Sequence, residues 1–266
     1  MKLKDRVAII TGGGTGIGRA IAHAFVSESA TVVVASRSLS NLNEVVKEIE
    51  AEGGKAKALQ TDISSEDQVK RMVASTIDEF GRIDILVNNS AATQRVPVNL
   101  VDMELDDWKN VLAVNLNGTM LCCREALRVM IPRKSGNIIN ISSIAGVTGH
   151  ATQSAYGTSK WGIIGLTETL AIEAGEHNIR VNSISPAATN SAPLQGMIKY
   201  LASSMGISYD DFMYKVTRHY SLKRIAEPSE IAAAALFLAS DDSSAMTGQN
   251  LVVSCGYHMM QPDEIE

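Results

Sequence analysis

Short apolar runs alternate with amphipathic stretches along nearly the whole chain of 266 residues, and this alternation constrains the fold more than any other feature. The apolar runs, rich in β-branched residues, are predicted as strands at 7–11, 31–35, 56–60, 83–87, 137–141, 180–184 and 250–253. The stretches between them are predicted as helices at 17–29, 39–52, 65–80, 105–132, 155–176 and 229–239. Such alternation with short links requires right-handed crossovers and a parallel sheet with helices on both faces. We therefore predict one doubly wound α/β domain over residues 1–266, with a sheet of about seven strands.

The composition argues against several other classes of protein. Lys and Arg number 24 and Asp and Glu number 29, and the resulting net charge of −5 argues against a nucleic-acid-binding surface. The longest apolar stretch, 231–239, is far shorter than the ~20 residues that span a bilayer, and the charged N-terminus is unlike a signal peptide. The cysteines, Cys122, Cys123 and Cys255, show no CxxC spacing, so we predict no metal site and no disulfide framework. We expect a cytoplasmic protein that binds neither nucleic acid nor membrane.

A glycine cluster, Gly12-Gly-Gly-Thr-Gly-Ile-Gly18, lies directly between the first predicted strand and the first predicted helix. Glycines are needed where the backbone approaches a pyrophosphate or adopts a positive φ, and the helix that follows directs its N–H groups at the phosphates. A tight turn would also explain glycines. The position inside a βαβ unit favours a dinucleotide site, although the spacing is GxxxGxG rather than GxGxxG.

The end of the second strand normally selects the cofactor. An acidic residue there would bind the adenosine ribose, but this chain has Ser36-Arg37, which suits a 2′-phosphate. We therefore predict NADP(H) as the cofactor, with NAD(H) as the less favoured alternative. Asp62, after the third strand, is placed either to accept a hydrogen bond from the adenine amino group or to cap the next helix.

Tyr156 and Lys160 are separated by four positions near the start of a predicted helix, so both side chains lie on one face. A tyrosine with a pKa of ~10 is a poor acid or base at neutral pH unless that pKa is lowered, and a nearby ammonium group lowers it. Ser143 follows the fifth predicted strand and could polarise a carbonyl group. The Tyr-Lys spacing alone is weak because it occurs by chance in many proteins.

In combination these positions resemble the short-chain dehydrogenase/reductase family over nearly the whole chain. The matching features, in order, are Thr11-Gly-Gly-Gly-Thr-Gly-Ile-Gly18, Asp62, Asn88-Asn-Ser-Ala91, Asn115, Ser143, Tyr156-x-x-x-Lys160 and Arg180-Val-Asn182 before Pro186. The resemblance implies a Rossmann-type fold and hydride transfer between a nicotinamide cofactor and a substrate carbon.

The resemblance also implies roles for four catalytic residues. Tyr156 is the general acid in reduction and the general base in oxidation. Lys160 lowers the pKa of Tyr156 and binds the nicotinamide ribose. Ser143, rather than its neighbour Ser142, has the family's spacing to the tyrosine and hydrogen-bonds the substrate oxygen. Asn115 holds a water that links Lys160 to solvent.

The cofactor contacts are predicted in the same way. Asn88 is expected to brace the sheet near the cofactor, and Thr189 and Ser191 are expected to meet the nicotinamide carboxamide. The full predicted set is Gly12, Thr15, Gly16, Ile17, Gly18, Ser36, Arg37, Asp62, Ile63, Asn89, Tyr156, Lys160, Pro186, Thr189 and Ser191.

Three departures from the family pattern concern loops and remove no catalytic group. Where the family has Asn-Asn-Ala-Gly, this chain has Asn88-Asn89-Ser90-Ala91. The family's Pro-Gly is Pro186-Ala187 in this chain, and its Asp-Gly-Gly near the C-terminus is Ser254-Cys255-Gly256. These differences put loop geometry and substrate choice in doubt, but not activity.

The resemblance implies that the irregular segment 192–223 covers the substrate, and its richness in Met and Tyr favours a mobile lid. Packing of the segment onto the body explains its apolar residues equally well. The predicted substrate residues are Thr93, Gln94, His150, Gln153, Met197 and Tyr200.

We expect an NADP(H)-dependent carbonyl reductase or alcohol dehydrogenase acting on a small molecule. The alternatives are an enoyl-thioester reductase of the same fold and, less favoured, a non-catalytic cofactor-binding sensor. The resemblance further implies a homotetramer or homodimer through the helices at 105–132 and 155–176, where Ala155, Gly157, Gly162 and Gly165 would allow close packing. The tail 257–266 could be disordered or could contact a neighbouring subunit.

Overall fold

A computed structural model describes residues 1–257 of the chain. Its strands are β1 (Val7–Thr11), β2 (Thr31–Ser36), β3 (Lys55–Gln60), β4 (Ile85–Asn88), β5 (Gly136–Ile141), β6 (Ile179–Pro186) and β7 (Asn250–Val253). They form one sheet in the order β3-β2-β1-β4-β5-β6-β7, and every neighbouring pair is parallel. The prediction of a doubly wound, seven-stranded α/β fold is confirmed. The tail residues 258–266 lie outside the described residues.

The helices connect successive strands and cover both faces of the sheet. They are α1 (Gly16–Ser27), α2 (Leu39–Ala51), α3 (Glu66–Phe80), α4 (Leu105–Leu112), α5 (Thr119–Met130), α6 (Ser154–Gly175), α7 (Ala192–Ser204), α8 (Tyr209–Thr217) and α9 (Pro228–Ala239). Within residues 1–257, none of them is both long and apolar enough to cross a membrane.

Alternate residues of each central strand pack into two separate apolar layers. In β1, Ile10 packs into the layer that includes Phe25 of α1, whereas Ile9 packs into the layer that includes Met130 of α5. Both isoleucines are fully buried. A parallel strand buried on both faces therefore has a continuous apolar sequence, which is why 7–11 is readable as a central strand.

The chain reverses its direction across the sheet after β3, because β4 returns to pair with β1. Loops that follow β1 and β4 consequently diverge to opposite sides of the sheet. In open α/β sheets the crevice at such a reversal, beyond the carboxyl ends of the strands, is where ligands bind. Most of the predicted site residues follow these carboxyl ends.

The predicted continuous helix at 105–132 is wrong in one respect. The helix is interrupted by a π-helical turn, Ala113–Gly118, between α4 and α5. This wider turn places Gly118 against Ile63, where an added Cβ would lie 2.8 Å from the isoleucine side chain. Apolar periodicity does not distinguish one π turn from continuous α-helix, so the interruption was not predicted.

The segment 192–223, predicted to be irregular, contains two helices, α7 and α8. Ile198 and Ala202 form the buried face of α7, and each is 3% exposed. The segment therefore has a packed inner face, and its movement as a lid stays a prediction.

Candidate active site and cofactor cleft

A cleft of about 340 Å³ follows the carboxyl ends of the strands around the reversal point. It is lined by eleven of the predicted cofactor residues: Gly12, Thr15, Gly16, Ile17, Ser36, Arg37, Asp62, Ile63, Asn89, Thr189 and Ser191. The other predicted cofactor residues, Gly18, Tyr156, Lys160 and Pro186, do not line it. Residues far apart in the chain are thus brought together into one site.

The glycine turn after β1 is shaped by close packing. Gly12 has a φ of 66°, and a Cβ there would lie 2.7 Å from the side-chain nitrogen of Asn89. A Cβ on Gly18 would collide with the carbonyl oxygen of Gly12. Gly18 therefore allows α1 to pack against the end of β1, and its predicted contact with the cofactor stays a prediction.

Asn89 and Thr11 join the loop after β4 to the glycine turn. Asn89 Nδ2 donates hydrogen bonds to the carbonyl oxygens of Thr11 at 3.1 Å and Gly12 at 3.2 Å. In return, Thr11 Oγ1 accepts from the backbone nitrogens of Asn89 at 3.0 Å and Ser90 at 3.1 Å. These bonds fix the backbone of two cleft walls relative to each other before any ligand binds.

The N-terminus of α1 is suited to an anion. Thr15 precedes the helix but makes no side-chain capping bond, and the first turn contains no acidic residue. The N–H groups of that turn have no partner inside the helix and, with the helix dipole, favour negative charge. The chemistry of this turn fits the diphosphate of a dinucleotide.

The end of β2 presents hydroxyl groups and a guanidinium group to the cleft. Ser38 precedes α2, but its hydroxyl bonds Ser40 Oγ at 3.1 Å and does not cap the helix. The Arg37 backbone is held by Gln60, whose Nε2 donates to the Arg37 carbonyl at 3.0 Å. Arg37 forms no ion pair within residues 1–257, so its charge is available to a phosphate group.

Asp62 lies in the cleft lining but does not cap α3. Its Oδ1 accepts hydrogen bonds from the hydroxyl of Ser64 at 2.7 Å and from the Ser64 backbone nitrogen at 3.0 Å. These bonds, with a smaller effect from the charge of Arg37, hold the pKa of Asp62 below its usual value. The carboxylate is therefore ionised and oriented at neutral pH, and its contact with adenine remains a prediction.

The structure distinguishes the two adjacent serines after β5. Ser142 is 3% exposed, and its hydroxyl donates to the carbonyl oxygen of Lys160 at 2.8 Å. Ser143 is half-buried, accepts from the backbone nitrogen of Ala145 at 3.2 Å, and lies close enough to the Tyr156 hydroxyl to lower the pKa of that group. Ser143 is therefore the serine beside the tyrosine, whereas Ser142 anchors α6.

Lys160 is a buried lysine that forms no ion pair with a carboxylate among residues 1–257. It is 2% exposed, and its Nζ donates to the carbonyl oxygen of Ile141 at 2.9 Å. The same Nζ lies 5.6 Å from the centroid of the Tyr156 ring. Burial lowers the pKa of Lys160 to about 8, because the charged ammonium loses hydration.

The pKa of Tyr156 differs from the expectation. Burial raises it above the usual value, and the nearby Ser143 hydroxyl offsets only part of this increase. The predicted lowering by Lys160 is absent from the protein alone. The physical reason is that both groups are desolvated, and the ammonium charge that would stabilise a phenolate is itself disfavoured.

The side chain of Asn115 connects two segments from within the π turn. Its Oδ1 accepts from the backbone nitrogen of Ala92 at 2.7 Å, and its Nδ2 donates to the carbonyl oxygen of Ala92 and to Ser159 Oγ, each at 2.9 Å. The backbone carbonyl of Asn115 accepts from Thr119 Oγ1 at 2.6 Å. Asn115 thus acts as a cross-link, and the water implied by the resemblance stays a prediction.

Two of the predicted substrate residues lie on the loops that flank Tyr156. Gln94 Nε2 donates to the carbonyl oxygen of Thr152 at 3.1 Å, which ties the loop after β4 to the loop before α6. His150 stacks on Tyr257 with ring centroids 5.9 Å apart, and Tyr257 packs against Tyr220 at 4.8 Å. These contacts form an aromatic cluster of His150, Tyr220 and Tyr257 at the loop between β5 and α6.

The remaining predicted substrate residues are exposed. Thr93 and Gln153 lie at the surface of the same two loops, and Met197 and Tyr200 of α7 are 52% and 73% exposed. The inner face of α7 carries Ile198 instead. The Met and Tyr content of the segment did not reveal which helix face packs inward, and the contact of Met197 and Tyr200 with substrate stays a prediction.

Several residues of the site were not predicted. Thr61, Ser90, Ala91 and Val114 complete the cleft lining. Gly146 lies outside the cleft lining and leaves room for the hydrogen bond between Ser142 and Lys160. A Cβ there would lie 2.6 Å from Ser142 Oγ and 2.7 Å from the Lys160 carbonyl oxygen. The neighbours of Asn89 and Asp62 could have been inferred by adjacency, whereas nothing in the sequence indicates the contact made at Gly146.

Comparisons with known proteins agree with this geometry. A family model described as Enoyl-(Acyl carrier protein) reductase matches residues 12–258. The chain is 36% identical over 256 residues to the 3-oxoacyl-[acyl-carrier-protein] reductase of Thermotoga maritima, covering 96% of this chain and 99% of that protein. Levodione reductase is similar in structure, with a TM-score of 0.90 and 30% identity over 96% of this chain and 98% of that chain. A variant of actinorhodin polyketide ketoreductase, solved with NADPH, has a TM-score of 0.90 and 27% identity over the same shares.

Proposed function

The chain belongs to the short-chain dehydrogenase/reductase family, and from this premise we propose that it interconverts a ketone or aldehyde and the corresponding alcohol with NADP(H). The arrangement that supports the proposal is Ser143 beside Tyr156, with the buried ammonium group of Lys160 at 5.6 Å from the centroid of the tyrosine ring. A hydroxyl donor beside a proton donor suits a carbonyl oxygen that gains negative charge as it is reduced.

In the proposed mechanism the protein orients the substrate and controls one proton. Bound NADPH supplies the hydride. Ser143 donates a hydrogen bond to the substrate carbonyl oxygen, and Tyr156 donates the proton that this oxygen gains. Lys160 then stabilises the phenolate that remains, because an ammonium group 5.6 Å from the ring centroid favours the charged form. In the oxidation direction Tyr156 takes the proton from the alcohol.

The experiment that tests this activity is a panel of ketones, aldehydes and alcohols assayed with NADPH and NADP⁺. Tyr156→Phe is expected to lower turnover at least ~10²-fold, the scale of general acid catalysis. Thr158→Ala, an exposed neighbour on the same helix, is the matched control and should leave turnover unchanged. Wild-type rates in Tyr156→Phe would contradict the mechanism.

The preference for NADP(H) rests on the end of β2. Ser36, Arg37 and the uncapped start of α2 offer hydroxyl, guanidinium and N–H donors, and no acidic residue at this position repels a 2′-phosphate. Fluorescence titration should give a lower Kd for NADPH than for NADH. Arg37→Ala should weaken NADPH binding by about tenfold or more, the scale of one charge-assisted contact, with little effect on NADH. Equal affinities of the native chain for the two cofactors would reject the preference.

A second candidate, enoyl-thioester reduction, is favoured by the description of the matched family model. The two activities are distinguished by supplying a 2-enoyl and a 3-oxoacyl thioester separately with NADPH. We place the carbonyl reaction first because Ser143 and Tyr156 together provide two hydroxyl groups for one oxygen. Turnover of the enoyl substrate alone would reverse this order.

A further inference from the structure

Ser159 lies between the catalytic tyrosine and lysine in the sequence of α6. It is fully buried. Its Oγ donates to the carbonyl oxygen of Tyr156 at 2.7 Å and accepts from Asn115 Nδ2 at 2.9 Å. Both roles of the hydroxyl, donor and acceptor, are therefore used inside the protein.

Helix stability does not explain a serine at this position. Alanine has a higher helix propensity, and a serine hydroxyl that bonds a carbonyl of the preceding turn competes with the helix backbone. The contact that a serine adds here is the one to Asn115, which belongs to another element. The residue is thus better explained by tertiary positioning than by local structure.

The bonds of Ser159 complete a chain of contacts across the site. Asn115 is bonded twice to the backbone of Ala92, in the loop after β4, and once to Ser159. Ser159 then reaches the backbone of Tyr156 itself. The cleft wall and the turn that carries the tyrosine are consequently held at a fixed separation.

A second contact holds the same part of α6 from another element. Ser142 donates to the carbonyl oxygen of Lys160, and Gly146 allows this approach because a Cβ there would collide with both groups. The Ser142 contact anchors the lysine end of the Tyr-Lys pair. The Asn115–Ser159 contact anchors the tyrosine end.

We propose that Ser159 is a positioning residue, which works through Asn115 to set the place of the Tyr156 hydroxyl relative to Ser143. It touches neither substrate nor cofactor in this role. The expected effect of Ser159 on kcat rests on the proposed function, whereas its expected effect on the position of Tyr156 does not. A displacement of the tyrosine by a fraction of an ångström changes the distance between its hydroxyl and Ser143 and misplaces the proton donor.

The test compares Ser159→Ala with Thr158→Ala, the adjacent exposed residue. Ser159→Ala should lower kcat by about 10- to 100-fold with little change in KM, because misplacement of a reacting group affects turnover on that scale. Ser159→Thr, which keeps the hydroxyl, should restore most of the loss. Ser159→Cys fills about the same space but replaces the hydroxyl by a thiol, which is a weak hydrogen-bond donor. This variant therefore tests the positioning role even if Ser159→Ala does not fold.

A second measurement does not depend on turnover. Tyrosinate absorbance of each variant, after subtraction of the same variant with Tyr156→Phe, reports the titration of Tyr156. The pKa of Tyr156 should rise in Ser159→Ala, because the displaced hydroxyl lies farther from Ser143, the group that lowers it. Thr158→Ala should not change it.

The outcomes separate this inference from the proposed function. If no carbonyl substrate is turned over but Ser159→Ala shifts the Tyr156 titration, the proposed function fails and the positioning role stands. If Ser159→Ala and Ser159→Cys match the native chain in both kcat and titration, the positioning role is overturned. Reduced thermal stability in Ser159→Ala, with kcat and titration unchanged, would also overturn it, since Ser159 would then be only structural.

Discussion

Lys160 shows at the scale of a single residue that the site is assembled at a cost to stability. An ammonium group that is 2% exposed and bonded to one carbonyl oxygen is poorly compensated for its lost hydration. The tyrosine beside it is disfavoured as a phenolate for the same reason. In the proposed reaction the ammonium form of Lys160 and the phenolate form of Tyr156 stabilise each other. Without a bound ligand, burial disfavours both charged forms.

Lys160→Met should therefore stabilise the protein while removing activity. Burial lowers the pKa of Lys160 from 10.5 to about 8, so the folded state binds its proton less tightly than the unfolded state. The folded state is therefore destabilised by about 3 kcal/mol. This penalty is present in full below pH 8 and disappears as the pH rises toward 10.5. Urea unfolding should thus show Lys160→Met more stable at pH 7, with a smaller advantage at pH 10.

The exposed Lys199→Met is the matched control and should change the unfolding free energy little at either pH. An equal or lower unfolding free energy for Lys160→Met at pH 7 would show that the ammonium group is better compensated than its contacts indicate.

At the scale of elements, the π turn between α4 and α5 connects the cofactor cleft to the catalytic residues. Val114 lines the cleft, Asn115 bonds Ser159, and Gly118 packs against Ile63, another cleft residue. One six-residue turn thus has contacts with both halves of the site. The lid role of 192–223 belongs to the same scale and remains a prediction, although α7 and α8 now define the elements that would move.

Gly118→Ala tests the role of this turn. The added Cβ would lie 2.8 Å from the Ile63 side chain and 3.0 Å from its carbonyl oxygen, so the wall of the cleft must shift. We expect weaker NADPH binding and a loss of stability of about 1–3 kcal/mol, the usual cost of overpacking. Cofactor titration and thermal unfolding measure the two effects.

Gly175→Ala is the control for Gly118→Ala, because a Cβ at Gly175 meets nothing within 4 Å. If both variants bind NADPH as the native chain does, the contact between the π turn and Ile63 does not shape the cleft.

At the scale of the whole molecule, the sheet reversal assembles the site and the outer helices leave apolar side chains exposed. Ile172 and Trp161 of α6 are 83% and 53% exposed. Of the small residues expected to face a second subunit, Ala155 is buried and Gly162 packs against Leu116 within the chain. Gly165 has open space around it. The predicted contact between subunits is therefore better placed on the outer, C-terminal part of α6.

We propose a homodimer or homotetramer through this face. Light scattering should give a mass of two or four times 28.4 kDa for the native chain. Ile172→Asp should shift the population toward monomer, since a carboxylate would be buried at the contact. Asn43→Asp on the exposed face of α2 is the control. A monomeric native chain would reject the proposal.

The sequence alone determined the strand–helix order, the parallel sheet and most of the cleft, because burial and backbone conformation leave a local signature in each segment. The apolar run at 7–11 and the glycines that follow it needed no distant information. The motif order also indicated Ser143, Tyr156 and Lys160 as neighbours.

Only the tertiary structure decided how these residues are held. It showed that the Ser142 hydroxyl is bonded to the Lys160 carbonyl oxygen, that Asn115 uses both its N–H groups on Ala92 and Ser159, and that Met197 and Tyr200 of α7 are exposed. The physical reason is that each outcome depends on a contact between elements. The Asn115 amide, for example, meets groups 23 and 44 residues away in the chain, and no local pattern records that pairing.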